Sequence, residues 1–247
     1  MKKIILAATA LTALVGFAAP VTAADLGKGF TVNGGATLVT DYRFRGISQT
    51  DKRFAVQGTF TIGHSSGFYA TVWGSSIDDY VAQGGDQEID LIAGYKKTVG
   101  STTFDGGVLY YYYPGSGGGN TDFVEPYISV SQAFGPVTAK VSAAYAPKQR
   151  AIAAIHTRDD NLYLAADLSG TIPNTPVSLS AHLGHSKGPS YLTIGKSYTD
   201  WGLGASVAVK NFTVGVNYID TSKHDQFLVN GRDEAGSTVV GSVGVSF

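Results

Sequence analysis

The sequence predicts an all-β protein, a transmembrane antiparallel up-and-down β-barrel of twelve strands. Three observations carry that prediction. The last eleven residues alternate: Val239, Gly241, Val243, Val245 and Phe247 fall on one strand face, and Thr238, Val240, Ser242, Gly244 and Ser246 on the other. Successive strand side chains point to opposite faces, so this tail is apolar on one side, mostly small or polar on the other, and ends on an aromatic. Short and long connections alternate strictly along the chain, as they do where one barrel rim carries tight turns and the other carries loops. Aromatics gather at the strand ends, around aliphatic middles.

The elements follow in order. Lys2 and Lys3 precede an apolar stretch over 4–19, and Val21-Thr22-Ala23 is an acceptable cleavage tripeptide. Residues 1–23 therefore read as a secretory signal peptide, and 24–247 as one outer-membrane barrel. No later stretch has the roughly 18 consecutive apolar residues of a spanning helix. Strands are predicted near 29–40, 53–63, 67–76, 87–97, 101–113, 121–134, 136–146, 160–170, 176–186, 199–210, 211–221 and 236–247. The alternation is plain in most of them. Phe212, Val214, Val216 and Tyr218 oppose Thr213, Gly215 and Asn217, and Leu162, Leu164, Ala166 and Leu168 oppose Tyr163, Ala165, Asp167 and Ser169. The short connections are 64–66, 98–100, Gly135, 171–175 and 210–211. The long ones are 41–52, 77–86, 114–120, 147–159, 187–198 and 222–235. An even strand number leaves both termini at the short-turn rim, taken as periplasmic. Phe30, Phe68, Tyr95, Phe104, Phe134, Phe212 and Phe247 then form one aromatic belt, and Phe54, Tyr110, Tyr112, Tyr145, Trp201 and Tyr218 the other.

Composition narrows the function. Lys and Arg number 18 against 19 Asp and Glu, and the two lysines of the leader are removed with it, so nothing offers a basic footprint for nucleic acid. With no Cys there is no disulfide, thiolate metal site or thiol nucleophile. Glycine, 32 of 247 residues, is nearly twice its usual share of about 7% and recurs inside alternating segments, which predicts crowded or bent strands. The expected partners are outer-membrane lipids, small hydrophilic solutes in the lumen, and the barrel-assembly machinery through the strand ending in Phe247.

Hydrocarbon offers no hydrogen bonds, so the sheet must close, with its apolar face to lipid and its polar face to the lumen. The inward positions include Glu88, Asp90, Asp105, Glu125 and Asp167, with Lys96, Lys140 and His182. Charges there mean either a wet pore, which five acids against two lysines would bias towards cations, or a plug of side chains paired across the lumen. Twelve strands lie between filled 8-stranded barrels and 16-stranded channels. In the run Tyr110 to Tyr113, Tyr111 and Tyr113 face inward, either to stack on solutes or to fill the lumen. Asp41, Arg43 and Arg45 open the first long connection, as an anion-binding entrance or as loop-to-wall salt bridges.

Nothing points to catalysis, a cofactor or a metal. Gly63-His64-Ser65-Ser66-Gly67 has the form G-x-S-x-G, but the motif needs a strand-to-helix elbow and this one sits between strands. His182 and His185 fall on opposite strand faces. The segment 114–120 is glycine-rich but lacks the Lys and helix of a phosphate loop.

One resemblance emerges. Residues 40–50, Thr40-Asp41-Tyr42-Arg43-Phe44-Arg45-Gly46-Ile47-Ser48-Gln49-Thr50, carry it, with Gly67-Phe68-Tyr69-Ala70, Trp73-Gly74-Ser75, Glu88-Ile89-Asp90 and the Tyr110 to Gly115 run. In these segments the chain resembles the TorF family of outer-membrane porins, a proteobacterial group first catalogued as conserved hypothetical proteins. The likeness is strongest in the first half. It implies an outer-membrane barrel and a porin, and it assigns no substrate and no catalytic residue.

Overall fold

Side chains that alternate between apolar and small polar make a sheet with two unlike faces, and such a sheet is stable in lipid only when it has no edge. The computed structural model describes residues 23–193 and 196–247, so the predicted signal segment, apart from Ala23, lies outside the described residues. It is a closed antiparallel barrel of twelve strands. They are β1 (Phe30–Val39), β2 (Ala55–His64), β3 (Phe68–Ser76), β4 (Gln87–Val99), β5 (Thr102–Tyr112), β6 (Phe123–Phe134), β7 (Val137–Gln149), β8 (Asp159–Thr171), β9 (Val177–Lys187), β10 (Ser197–Val209), β11 (Phe212–Thr221) and β12 (Thr238–Ser246). Each pairs with its chain neighbours. β12 returns to β1, with Ser242 opposite Val39 and Ser246 opposite Gly35. Among the described residues, no helix is long and apolar enough to cross a membrane.

The ends of the chain meet at the closing seam. Phe247 exchanges both backbone hydrogen bonds with Gly34. The short segment Ala24–Gly27 then pairs with the rest of β1, Ala24 opposite Val32, in line with β12. It covers the part of β1 that β12 does not reach.

The predicted strands match the observed ones to within a few residues. β4 and β7 run further than the alternation indicated, β7 through a bulge between Ala146 and Gln149. Outward residues form an apolar band that a soluble protein would not expose, rimmed at one end by Phe54 (68% exposed) and at the other by Phe247 (65%). Inward glycines make room for rings. A Cβ on Gly94 would lie 2.6 Å from the Tyr69 ring, and one on Gly107 would lie 2.5 Å from the Ala93 carbonyl and 2.8 Å from the Tyr127 hydroxyl.

The tight turns share one rim and the long connections the other. Gly100 (φ 64°) and Gly135 (φ 62°) take the left-handed conformation that such turns require. Towards the long-loop rim the interior is packed. Leu109, Tyr111, Phe123, Tyr127, Ile152 and Tyr163 form one buried cluster, and Val39, Tyr42, Trp73, Ile77 and Val240 belong to another.

Candidate functional site

The sequence left open whether residues 41–52 fold outward or inward. They fold inward. Arg43–Phe44 pairs with Ile47–Ser48 as a miniature hairpin, whose two central residues, Arg45 (φ 49°) and Gly46 (φ 82°), both take positive φ. That is the requirement of a type I′ turn, and arginine is an uncommon residue to meet it. The turn lies against the wall. A Cβ on Gly46 would come within 2.6 Å of Thr221 and 2.9 Å of Asp200, so only glycine fits there.

From this tip Arg45 reaches the opposite side of the lumen. Its Nη2 donates to both carboxylate oxygens of Glu125 on β6, each at 2.7 Å, and its Nη1 donates to Asn161 on β8 at 2.9 Å. The guanidinium stands 4.2 Å from the Tyr163 ring centroid and 4.7 Å from that of Phe44. The Tyr111 hydroxyl donates to Glu125, and the Tyr198 hydroxyl donates to the Arg45 carbonyl. Arg45 and Glu125 are 3% and 1% exposed. A pair this deep holds together because both charges are hydrogen-bonded as well as opposed.

The base of the hairpin is fixed equally firmly. Arg43, wholly buried, donates from Nε to Asp41 at 2.6 Å and from Nη1 to the carbonyls of Gly46, Glu234 and Gly236. Asp41 also accepts from Ser48 and Thr50. The Tyr42 hydroxyl donates to Glu88 at 3.1 Å. Above it, Arg232 of the last connection donates to Asp51 at 2.5 Å, and Arg53 pairs with Asp78. Burial pushes the Asp51 carboxyl up, but the hydrogen bond and charge of Arg232, with Asn230 and Arg53, together outweigh it and hold the carboxyl below its usual range.

The other inward residues lie nearer the short-turn rim, on a face that also carries the hydroxyls of Thr37, Thr103, Ser131 and Ser178. Lys96 is 3.6 Å from Asp105, which also accepts from Tyr69. Lys140 is 4.0 Å from Asp167. His182 stands between two acids, Nδ1 2.6 Å from Asp167 and Nε2 3.0 Å from Asp200, and Tyr163 donates to Asp200 at 3.0 Å. A cavity of about 30 Å³, room for one water, lies between His182, Ser180, Asn217 and Gly46. Glu88, Asp90, Glu125 and Tyr111, by contrast, are buried beneath the hairpin.

Two relations were missed in the sequence. Asp200 shares the parity of Gly202 and Gly204, so its inward direction was legible, yet it was left out of the inner acids. The partnership of Arg45 with Glu125 joins residues 80 apart and carries no local signal. Gly63 to Gly67 forms the turn between β2 and β3, where His64 and Ser66 sit 2.7 Å apart in an exposed contact with no elbow around it.

Comparison with known proteins places this geometry. The model of a family described as "Bacterial protein of unknown function (Gcw_chp)" matches residues 23–247. The chain belongs to the Gcw_chp family. No curated protein sequence matches this Gcw_chp chain significantly. Among solved structures, the NanC porin in a rhombohedral crystal form is similar at a TM-score of 0.60 and 14% identity, over 87% of this chain and 98% of that one. A structure from a study of the in-meso crystallization of membrane proteins is similar at 0.55 and 10% identity, over 87% and 83%. At these identities the likeness is one of fold: the Gcw_chp chain is a closed antiparallel barrel of twelve strands, an architecture it shares with these proteins.

Proposed function

We propose that this protein is an outer-membrane porin for small hydrophilic solutes or ions whose lumen is closed by its own first external loop. The observation that carries the reading is the Arg45 to Glu125 contact, which anchors an inward hairpin at its tip. Charged contacts suit a movable constriction, because each partner is stable in water when the two separate. The resemblance to the TorF porins and the porin name of one structural neighbour favour the same reading. The preponderance of inner acids, including Asp200, favours cations in the open state. The leader at 1–23, the aromatic belts and the terminal Phe247 fit export and assembly into the outer membrane.

Single-channel recording of refolded protein in planar bilayers tests this, with selectivity read from the reversal potential in a salt gradient. The expected result is rare or small steps from wild type, with larger and more frequent, cation-selective steps once Arg45 or Glu125 is replaced. Silence from wild type and both variants, in protein shown to be folded by heat-modifiable gel migration, would overturn it. That outcome would favour a plugged barrel acting through its external loops, a reading to which the burial of Ile152, Ala82 and Ala235 at the loop end also lends support.

A further inference from the structure

Most buried acids inside this barrel have donors. Glu125 has Arg45 and Tyr111, Asp41 has Arg43, Ser48 and Thr50, and Asp200 has Tyr163 and His182. Asp90 is different. It sits on the inner face of β4, 1% exposed, and neither of its carboxylate oxygens has a hydrogen-bond partner. Two residues earlier on the same face is Glu88, 2% exposed, which accepts from the Tyr42 hydroxyl of the hairpin and faces Asp90 closely enough to share a proton with it. The neighbouring register positions carry Tyr111, opposite Asp90, and then Phe123, so the surroundings supply rings and phenol oxygens but no cation. Of the buried guanidiniums, Arg45 is bonded to Glu125, and Arg43 is bonded to Asp41 and backbone carbonyls with its Nη2 unpaired; neither acts on Asp90.

Two adjacent buried carboxylates without a counter-charge are far too costly to leave bare. A single shared proton would cancel one charge and leave an oxygen of Asp90 still without a partner. A dication cancels both and takes lone pairs from both Asp90 oxygens. We propose that Glu88 and Asp90 bind a hard divalent cation of the calcium class, held between the wall and the base of the inward hairpin. Among the described residues, no group of three or more His, Cys, Asp or Glu is placed to hold a metal ion. The two carboxylates are therefore completed by phenol and water oxygens, a donor set that suits calcium and not zinc. Because Tyr42 already bonds Glu88, the cation ties the hairpin to β4. The site is independent of conduction: a barrel silent in bilayers would bind the ion all the same.

Terbium is the probe, since Tyr42 and Tyr111 stand close enough to sensitise it. Full-length mature protein refolded in detergent is titrated with terbium under tyrosine excitation. The expected result is emission that saturates at one ion per chain, is displaced by calcium, is lost in Asp90→Asn and persists in Asp225→Asn, an exposed loop acid. Calcium should also raise the thermal midpoint of the wild-type protein, reversibly with chelator, so the test stands even if Asp90→Asn fails to fold. Absence of saturable emission and of a calcium shift in wild type would overturn the proposal in favour of a shared proton. Undiminished emission from folded Asp90→Asn would overturn it too.

Discussion

Replacing Arg45 with methionine keeps most of the side-chain volume and removes the charge. Glu125 then keeps only the Tyr111 hydroxyl, at 3.2 Å, of the contacts that balanced it. Leaving one member of a buried pair uncompensated costs about 3–5 kcal/mol. The barrel wall does not depend on this pair, because its backbone ladder is complete without it. The strain can therefore be relieved by the hairpin leaving, which returns Glu125 to water. If the whole cost appears in the opening equilibrium, at about 1.4 kcal/mol per tenfold change the open population rises by a factor on the order of 10² to 10³. Open probability in planar bilayers reads this directly. The double variant Arg45→Met/Glu125→Met removes both charges, lets the side chains pack among Phe44, Tyr111 and Tyr163, and should close again. Equal open probabilities in wild type, single and double variants would refute the latch, as would a double variant more open than either single.

Further outcomes are expected. Gly46→Ala places a methyl group against Thr221 and Asp200 at a positive φ, so it should loosen the hairpin by about 1–3 kcal/mol, read as increased channel opening. The chain has no cysteine, so Ile47→Cys gives a single thiol; a membrane-impermeant maleimide should label it slowly, and much faster when combined with Arg45→Met. Gly107→Ala meets backbone at 2.5 Å and should lower the temperature of the folded-to-unfolded gel shift, at a cost of about 1–3 kcal/mol. The Asp51 carboxyl is held below its unfolded value, so its contact with Arg232 contributes stability above about pH 4 and loses it as the pH falls through the lower folded value. Protease cleavage of the 222–237 connection should therefore quicken on acidification, and Asp51→Asn should remove that dependence.

The wall was legible because strand alternation is local. Val243 and Val245 against Ser242 and Gly244 give the outward direction without knowledge of any partner, and the same parity placed Glu88, Asp90, Glu125 and His182 on the inner face. The interior was not legible in this way. Nothing in Asp41 to Thr50 has a period that distinguishes an outward loop from an inward one, and the contacts that decide it run from Arg43 to Glu234 and from Arg45 to Glu125. Gly46 was the available hint: a glycine behind an arginine within a short run of strand-forming residues is how a two-residue hairpin turn reads. The distinction between an acid bathed in lumen water and one sealed beneath the hairpin, as Asp90 is, depends wholly on that fold.

The stitching of the hairpin to the last connection also bears on the order in which the molecule assembles. Arg43 bonds carbonyls 191 and 193 positions away, and Arg232 bonds Asp51 across 181. These are nearly the same separations as those spanned by the seam between β1 and β12. Contacts so distant in the chain form late, because a long loop must be closed before they return any free energy. The hairpin is made among the first residues, yet its socket is finished only by the last. During assembly the barrel must therefore pass through a stage in which its wall is nearly complete and its lumen still empty, and sealing coincides with arrival of the final strand. Filling of the lumen thus doubles as a mark that the last strand is in place.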